Sequence, residues 1–491
     1  MTDLLYYLIV PSKKRFLLFS PQIVAALFIF IFILPFSSLF AQITNNPFSK
    51  PIEANDDIIV VGYREFATLP NIDGEAALAM DLETEPGGDR YFVNDLQGFL
   101  YTIKDGGAVT KFLDLTNPKW SVHLRWTVLE RGFTGLAIHP EFNNVGTAGY
   151  GKFYTLLDSS NTDPEPGFIP AEDGNDAHDT LLLEWKMSDA SCKIYDGEAP
   201  RVLMRMEQPY GNHNGGQIAF NPLAKPSTPE FGTLYISIGD GGSGGDPMNM
   251  SQNLTSIFGK ILRINPLGSN SSNGQYGIPE DNPFVNNSDT SILREIYVYG
   301  TRSPNRIAWD ANNGQMYVAD IGQNTVEEIS PVVAGANLGW KVWEGSFRYV
   351  SRNGVDVADP RNDPEMIFPV VEWDQKDPLL QRSSVASSGL AVYRGSDIPQ
   401  LQNLLIFAEL ISGEVFYVSA DQLPTGGQDA IRRILLRNRG INKTFLQVIQ
   451  EKNVEQGQDE AYRADLRIAH TTDGKLFLLN KRDGVIRLIT E

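Results

Sequence analysis

Residues Tyr210-Gly211-Asn212-His213-Asn214-Gly215-Gly216-Gln217 form a glycine-rich turn, and a strand that ends in more glycine follows as Thr233-Leu234-Tyr235-Ile236-Ser237-Ile238-Gly239-Asp240-Gly241-Gly242. Glycine lets the backbone take positive φ values and approach another group closely. The strand would bring His213 and Asp240 to one rim of a sheet, where loops on a rigid scaffold commonly carry functional groups. The pattern therefore fits a functional pocket or, equally, two tight hairpins with a hydrogen-bonded histidine.

The same pattern recurs along the chain as an apolar strand, a turn with Gly, Asn or Asp, and an aromatic-rich strand. Radial repetition of short antiparallel sheets is typical of β-propellers. We therefore predict an all-β fold, a six-bladed β-propeller, with an irregular pair of β-sandwiches as the alternative. The six units are Ala77–Asp81 with Arg90–Val93 and Phe99–Ile103; Gly135–Pro140 with Lys152–Leu157; Gln217–Pro222 with Thr233–Ile238; Arg306–Asp310 with Gln315–Ile321; Gly389–Tyr393 with Leu404–Ala408 and Glu414–Val418; and Leu466–His470 with Lys475–Asn480 and Val485–Ile489.

Helical periodicity is scarce, and Asp429–Leu436 is the one weak helical candidate. Long insertions rich in Pro, Gly, Asn and Asp are predicted to be loops. They span Asp158–His178, Gly268–Asn287, Arg348–Arg382 and Gln422–Asp429. None looks like a linker between independently folding halves, so we expect one propeller domain over residues 57–491.

The N-terminus has the features of an export signal. Lys13-Lys14-Arg15 precede an apolar run over residues 16–40, and Ala41 follows the run. A basic start, an apolar middle and a small-residue end are typical of secretory signals, although the run is also long enough to span a membrane. We expect residues 1–41 to be a signal peptide or N-terminal membrane anchor, with cleavage favoured. Residues 42–56 would be a short polar tether, and the protein would be periplasmic or secreted.

The bulk charge narrows the range of partners. The 491 residues carry a formal net charge of −19. An acidic surface disfavours nucleic acid, and it disfavours an anionic membrane except through an uncleaved N-terminal anchor, because both partners need basic patches. A small neutral substrate or a bound cation is compatible with this charge. Cys192 is the single cysteine, so no internal disulfide can form.

Several phrases, in this order, resemble the glucose/sorbosone dehydrogenase family, which includes soluble quinoprotein sugar dehydrogenases and hedgehog-interacting-protein-like proteins. They are Arg131–Phe142, Gly211–Gln217, Gly239–Gly242 with Gly245–Pro247, Gln252-Asn253 with Gly259–Ile264, Ile278–Phe284, Glu295–Pro304, Asp320–Asn324 with Glu327–Ile329, and Asn337–Trp340. The resemblance covers about residues 60–490 and implies a six-bladed propeller. Its details are more similar to the hedgehog-interacting-protein-like branch.

The resemblance implies a site as well as a fold. Catalytic members of the family bind pyrroloquinoline quinone (PQQ) and Ca²⁺ and oxidise sugar hydroxyls. The family's general-base histidine falls on His213, and its partner aspartate falls on Asp240. The calcium-binding backbone carbonyls fall on Gly322 and Gln323. A neutral imidazole can take a hydroxyl proton, while a carboxylate on its other nitrogen fixes the tautomer.

Three positions depart from the quinoprotein pattern. Glu130 stands where those enzymes carry Gln, and Ser243–Gly245 replaces an Arg-Asn pair. The late segment Leu410–Tyr417 lacks the expected arginines. PQQ is a tricarboxylate, so its binding would need other cations.

Other residues complete the predicted site. Arg302, Arg306 and Arg394 could supply the missing positive charge, and Trp340 could stack on a flat cofactor. Glu130 is counted with this cofactor-binding set. Asp240 and Asp246 are candidate calcium ligands, because they belong to an oxygen-rich, glycine-spaced segment with Asn249 and Asn253. Turns stabilised by side-chain-to-backbone bonds are the alternative for that segment.

The leading hypothesis is therefore an exported, PQQ- and Ca²⁺-dependent oxidoreductase that acts on a sugar or related alcohol and passes electrons to an acceptor. The alternative is a non-catalytic Ca²⁺-binding propeller that recognises carbohydrate or protein at the cell surface. A calcium-dependent lactonase-type hydrolase is a third possibility. It would need a central metal ringed by side-chain oxygens, a pattern that the sequence does not assemble.

Overall fold

The computed structural model describes residues 42–491 except residues 105, 128–129, 161–165, 171, 173, 176–177 and 381–384. The predicted signal or anchor at residues 1–41 lies outside the described residues. The regular secondary structure of the described chain is almost entirely β-strand, with one α-helix and two short 3₁₀ helices at Pro118–Trp120 and Pro399–Leu401. Among the described residues, no helix has the length and apolar character needed to cross a membrane.

Two strands precede the first repeat, namely β1 (Ile43–Thr44) and β2 (Ile59–Thr68). The first two sheets consist of β3 (Ala79–Thr84), β4 (Arg90–Asp95), β5 (Phe99–Lys104) and β6 (Val109–Asp114), and of β7 (Phe133–Ile138), β8 (Lys152–Ser160), β9 (His178–Lys186) and β10 (Arg201–Gln208). The third consists of β11 (Ile218–Phe220), β12 (Leu234–Ile238), β13 (Lys260–Ile264) and β14 (Ile296–Tyr299). Neighbouring strands within each sheet are antiparallel.

The fourth sheet contains an excursion before its last strand. It consists of β15 (Pro304–Trp309), β16 (Met316–Asp320), β17 (Val326–Val332) and β21 (Val371–Asp374). Between β17 and β21 the chain forms β18 (Trp343–Glu344), β19 (Phe347–Ser351) and β20 (Gly354–Asp356). With β1, these three strands make a separate side sheet. The expected loop Arg348–Arg382 therefore contains strands of two sheets.

The last part of the described chain forms a nine-stranded sheet. Its strands include β22 (Ser387–Tyr393), β23 (Leu404–Glu409), β24 (Val415–Ser419), β25 (Arg432–Asn438) and β26 (Ile441–Lys443), then β27 (Arg467–His470), β28 (Leu476–Leu479) and β29 (Val485–Thr490). Strand β2 pairs antiparallel with β29 and parallel with β25. An N-terminal strand thus completes the C-terminal sheet, and helix α1 (Phe445–Glu455) lies between β26 and β27.

Side chains between successive sheets form the core. Phe92 of the first sheet packs in one cluster with Phe153 of the second, and similar clusters join each later sheet to the next. Phe477 of the last sheet packs with Tyr91 of the first, which closes the series. Each of these sheets therefore has two neighbours, whereas the sandwich alternative would give each sheet one.

Two local predictions differ from the structure. The helical candidate Asp429–Leu436 is wrong, because most of it lies in β25, where alternate residues Ile434 and Leu436 are buried on one face. The segment 42–56 does not extend away as a free tether. Its strand β1 pairs with β20, and Ile52 is 3% exposed with its N–H 2.7 Å from Oδ2 of Asp377.

Candidate active site

His213 lies in the glycine-rich loop between β10 and β11, and its backbone has a left-handed φ of 56°. Nδ2 of the buried Asn214 donates to the carbonyl oxygen of Tyr210 at 2.8 Å, which closes the turn. The backbone N–H of His213 donates to Oε2 of Glu130 at 3.0 Å. The loop conformation is therefore fixed on both sides of the imidazole.

A buried hydrogen-bonded chain orients the His213 ring. Nδ1 of His213 lies 2.7 Å from Oδ1 of Asp240, which follows β12. Nε1 of Trp340 donates to the other carboxylate oxygen, Oδ2, at 2.9 Å. In a neutral ring, Asp240 as the acceptor favours the tautomer with the proton on Nδ1 and a lone pair on Nε2. Among the described residues, no hydrogen bond occupies Nε2.

The surroundings keep the Asp240 carboxylate charged. Burial alone would raise the pKa of Asp240, but the His213 ring, Arg302 and the N–H of Gly242 together hold it below its usual range. An ionised carboxylate on Nδ1 stabilises an imidazolium when Nε2 accepts a proton. The pair has the chemistry of a general base and the group that orients it.

A cavity of about 310 Å³ lies beside His213. It opens where the first strands of several sheets begin, since Thr134, Asn305, Ala386 and Arg467 all line it. The charged residues of its wall are Glu130, Arg302, Arg306, Arg463 and Arg467. The cavity wall is therefore positively charged, although the protein as a whole is acidic. A positively charged wall suits an anionic ligand.

Two of these arginines come from the predicted set. Nη1 of Arg302 donates to the carbonyl oxygen of Ile321 at 2.8 Å, and Nη2 of Arg306 donates to that of Met80 at 2.9 Å. Both guanidinium groups are almost fully buried, and each has an Nε without a partner among the described residues. A buried donor without an acceptor is costly, so a bound anion would stabilise both.

Sequence reasoning missed Arg463 and Arg467. Arg463 pairs with Asp465, and Arg467 begins β27 with an Nε that has no partner in the described chain. Burial and the neighbouring Arg306 lower the pKa of Arg467 to about 9. A signal was present, because two arginines flank an aspartate at the start of the last repeat. The family resemblance pointed instead to Leu410–Tyr417, of which Leu410 and Ile411 line the cavity without charge.

The predicted calcium seat also reaches the cavity. Gly322, Gln323 and Asn324 line it, in the loop that joins β16 to β17. Oε1 of Gln323 accepts the N–H of Gly245 at 2.6 Å, which ties this loop to the glycine-rich segment after Asp240. The structure thus brings His213, Asp240 and the Gly322-Gln323 pair to one place.

Four predicted site residues do not line the cavity, namely Asp240, Asp246, Trp340 and Arg394. The Asp246 carboxylate accepts the N–H groups of Met250 and Ser251 at 2.8 and 3.0 Å, so it stabilises its own loop and is not at the calcium seat. Both oxygens of Asp240 are engaged by His213 and Trp340, which favours an orienting role over a metal-ligand role. Trp340 accordingly lies behind Asp240 and does not face the cavity as a stacking platform.

Arg394 is far from this site along the sheets. It follows the last residue of β22, whereas Ala386 at the cavity precedes the first. Its guanidinium group binds Asp310 at 2.7 and 2.8 Å and also pairs with Asp421. The assignment of Arg394 to a cofactor is therefore corrected, because the full length of β22 separates Arg394 from the end of the strand that lies at the cavity.

Fold and site together define an all-β protein in which a histidine paired with a buried aspartate lines an arginine-rich cavity. Residues 77–488 match the sequence model of the family described as Glucose / Sorbosone dehydrogenase, and the chain belongs to that family.

Among curated relatives, the HIPL1 protein of Arabidopsis thaliana is 28% identical over 67% of this chain and 50% of its own length. The chain thus spans about half the length of that relative. The aldose sugar dehydrogenase YliI of Escherichia coli is 25% identical over 67% of this chain and 76% of its own length. Among solved structures, the PQQ-bound aldose sugar dehydrogenase of Streptomyces coelicolor is similar in fold, with a TM-score of 0.53 and 21% identity over 87% of this chain and 96% of that one.

Proposed function

We propose that this protein is a PQQ- and Ca²⁺-dependent oxidoreductase that oxidises a hydroxyl of a sugar or related alcohol. The observation that carries the proposal is the His213–Asp240 pair, whose free Nε2 lies beside a cavity lined by four arginines. The relatives named as sugar dehydrogenases support the reaction class. Export to the periplasm or the exterior is part of the proposal and rests on the N-terminal sequence.

The sheet arrangement supports a six-bladed propeller as the scaffold. Six groups of four strands can be drawn from the described chain if β22–β25 are taken as one blade and β27–β29 with β2 as the next. A ring closed by an N-terminal strand keeps the first and last blades together. The cavity would then lie on the propeller axis, where the inner strands of all blades converge.

The cavity residues fit the cofactor by charge and by unsatisfied donors. Arg302, Arg306, Arg463 and Arg467 would hold the carboxylates of PQQ, and three of them have a buried Nε that no described residue satisfies. Charge-assisted hydrogen bonds of arginine to carboxylate are among the strongest polar contacts in proteins. The backbone carbonyls of Gly322 and Gln323 would hold Ca²⁺, a hard cation that prefers oxygen. When bound, PQQ polarised by Ca²⁺ supplies the group that accepts hydride.

The chain itself handles the proton. A substrate hydroxyl within reach of Nε2 of His213 would lose its proton to that nitrogen as the C–H bond breaks. Asp240 would stabilise the imidazolium through its 2.7 Å contact with Nδ1, and Trp340 would keep the carboxylate in that orientation. Such proton transfer by a positioned side chain contributes about 100- to 10,000-fold in rate.

One experiment tests the proposal directly. The purified protein is incubated with PQQ and Ca²⁺ and assayed on a panel of sugars and alcohols with an artificial electron acceptor. We expect calcium-dependent PQQ binding, turnover of at least one substrate and loss of turnover in His213→Ala with PQQ still bound. The proposal would be overturned if the wild type showed no PQQ binding and no turnover. A fully active His213→Ala would overturn the mechanism.

A second candidate is a non-catalytic Ca²⁺-binding propeller that recognises carbohydrate or protein at the cell surface. The apolar Leu410 and Ile411 in the cavity wall favour it, because the quinoprotein pattern places a positive charge in that segment. This candidate predicts calcium binding without turnover. The same assay therefore separates the two functions.

A further inference from the structure

Loop 321–325, which joins β16 to β17, wraps around one oxygen atom of Glu344. Oε1 of this residue accepts the backbone N–H groups of Gln323, Asn324, Thr325 and Val326 at 2.8, 3.0, 2.8 and 3.1 Å. Glu344 belongs to strand β18 of the side sheet and is 3% exposed. It does not line the cavity, so its contact with the site runs through this loop.

These four hydrogen bonds fix the direction of the adjacent carbonyl groups. In a trans peptide unit the N–H of one residue and the C=O of the preceding residue lie in one plane and point in opposite directions. N–H groups of residues 323–325 that converge on Glu344 therefore turn the carbonyl oxygens of residues 322–324 away from it. Residues 322–324 line the cavity and Glu344 does not, an arrangement that fits carbonyl oxygens directed to the cavity.

The carbonyl oxygens of residues 322–324 accept no hydrogen bond from the described part of the chain. The loop is also closely packed at Gly322. A Cβ atom at Gly322 would lie 1.6 Å from the carbonyl oxygen of Val326 and 3.2 Å from Oε1 of Glu344. Only glycine fits at this position. The loop thus has carbonyl oxygens without a partner in the described chain on one side and the buried Glu344 carboxylate on the other.

We propose that Glu344 is a positioning residue that directs the carbonyl oxygens of residues 322–324 into the cavity as ligands for a hard divalent cation. The inference rests on the proposed function, because the cation is the calcium ion of that site. Three oxygens on one side of a loop suit Ca²⁺, which takes oxygen ligands in flexible geometry. The carboxylate also polarises each peptide unit towards its carbonyl oxygen, since hydrogen bonds in series strengthen one another.

The test compares two changes at this position with a matched change elsewhere. Glu344→Gln keeps an acceptor oxygen and loses the charge, and Glu344→Ala loses both. Glu372→Gln is the control, because Glu372 is equally buried and accepts the N–H groups of Ser346 and Gly427, which do not line the cavity. The readout is the Ca²⁺ concentration at which PQQ binding is half-maximal. PQQ binding is monitored by the absorbance of PQQ in the absence of substrate.

We expect Glu344→Gln to raise this Ca²⁺ concentration about tenfold and Glu344→Ala about 100-fold, the range found for residues that orient metal ligands. Glu372→Gln should stay within about twofold of the wild type. Thermal unfolding of each variant identifies the variants that fold. If Glu344→Ala does not fold, Glu344→Gln alone is sufficient for the test.

A folded Glu344→Gln that needs no more Ca²⁺ than the wild type would overturn the positioning role, as would an equal shift in Glu372→Gln. Failure of the proposed function looks different, because wild-type protein would then show no calcium-dependent PQQ binding at all. In that case Glu344 has no ion to position, and the inference falls with the function.

Discussion

At the residue scale, His213 depends on groups that are far from it in sequence. Its ring is held by Asp240, which is held in turn by Trp340, and its backbone is held by Glu130. Each contact removes a degree of freedom from a side chain that, in the proposed reaction, would meet a hydroxyl group within about 3 Å. The site residues therefore act through defined hydrogen bonds, which makes single substitutions informative.

Asp240→Asn should lower kcat about 100- to 10,000-fold, because a neutral amide neither stabilises the imidazolium nor enforces the proton on Nδ1. PQQ binding should be retained, since the arginines remain. Steady-state assays with saturating cofactor measure the effect. Asp189→Asn, at an exposed carboxylate, serves as the control with an unchanged rate. A variant at position 240 with wild-type kcat would contradict the role of the pair.

Arg463→Gln should weaken PQQ binding about 10- to 100-fold, because a charged hydrogen bond contributes about 1.5–3 kcal/mol. Arg394→Gln makes the same chemical change at the opposite end of the strands, where Arg394 binds Asp310. It should leave PQQ binding unchanged. Titration of PQQ with each folded variant at fixed Ca²⁺ measures both constants. The reverse ranking would restore the cofactor role that the sequence suggested for Arg394.

At the element scale, β2 has a larger structural role than its position suggests. It pairs with β29 and β25, and its Phe66 packs edge-on against Tyr91 and Phe477 at centroid distances of 5.4 and 5.1 Å. An N-terminal strand thus joins the first sheet to the last. Closure by hydrogen bonds and packing takes the place of a disulfide, which a chain with one cysteine cannot form.

Phe66→Ala should lower the free energy of unfolding by about 3–5 kcal/mol, since it removes a large buried side chain at the junction. Val454→Ala provides the contrast, because Val454 on α1 is 59% exposed and its loss should change stability by no more than about 0.5 kcal/mol. Urea unfolding followed by tryptophan fluorescence compares the two. Similar values for both would mean that β2 does not hold the sheets together.

Helix α1 shows why elements can be missed in a β-rich sequence. It has 11 residues and begins with a capping box between Thr444 and Gln447. Phe445, Leu446, Val448 and Ile449 bury one face of it. The apolar residues of Asp429–Leu436 look similar in composition, but Ile434 and Leu436 are two residues apart and share the face of a strand. Tertiary packing decides between these periods in short segments.

At the scale of the whole molecule, many acidic groups are buried. Burial raises the pKa of Asp95, Asp320 and Asp374 to about 6 and that of Asp158 to about 7, although hydrogen-bond donors oppose the shift in each case. The folded protein therefore holds protons that the unfolded chain has released between about pH 4 and pH 7. Unfolding in this range releases protons, so stability should fall as pH rises towards 7.

Asp158→Asn tests this dependence, because asparagine resembles the protonated carboxyl group in shape. The free energy of unfolding of the variant relative to the wild type should rise between pH 5 and pH 7, by up to about 1.4 kcal/mol per pH unit. Urea unfolding at pH 5, 6 and 7 gives the two curves. The free energy of unfolding of Asp189→Asn should change with pH in parallel with that of the wild type. Parallel curves for Asp158→Asn as well would show that Asp158 is ionised throughout.

The sequence alone predicted the main strand runs of each repeat and the proximity of His213 and Asp240. Alternating apolar residues between glycine-rich turns gave the strand runs of each repeat, which the structure contains in β3–β5, β7–β8, β11–β12, β15–β16, β22–β24 and β27–β29. The outer strands were less evident, since β21 follows a long insertion and β2 pairs across the whole chain. A local sequence pattern depends on residues that are close in the chain. It therefore carries little information on pairing between strands that are hundreds of residues apart.

Only the tertiary structure decided which of several chemically equal residues form the site. Asp240 and Asp246 are both aspartates in one glycine-rich segment, yet Asp240 contacts His213 and Asp246 caps its own loop. Arg394 and Arg467 are both arginines at the ends of inner strands, but Arg394 follows the last residue of β22 and Arg467 begins β27. Residue type sets what chemistry a side chain can do. Its position along a strand sets which end of the sheet it reaches, and that depends on how the whole chain closes.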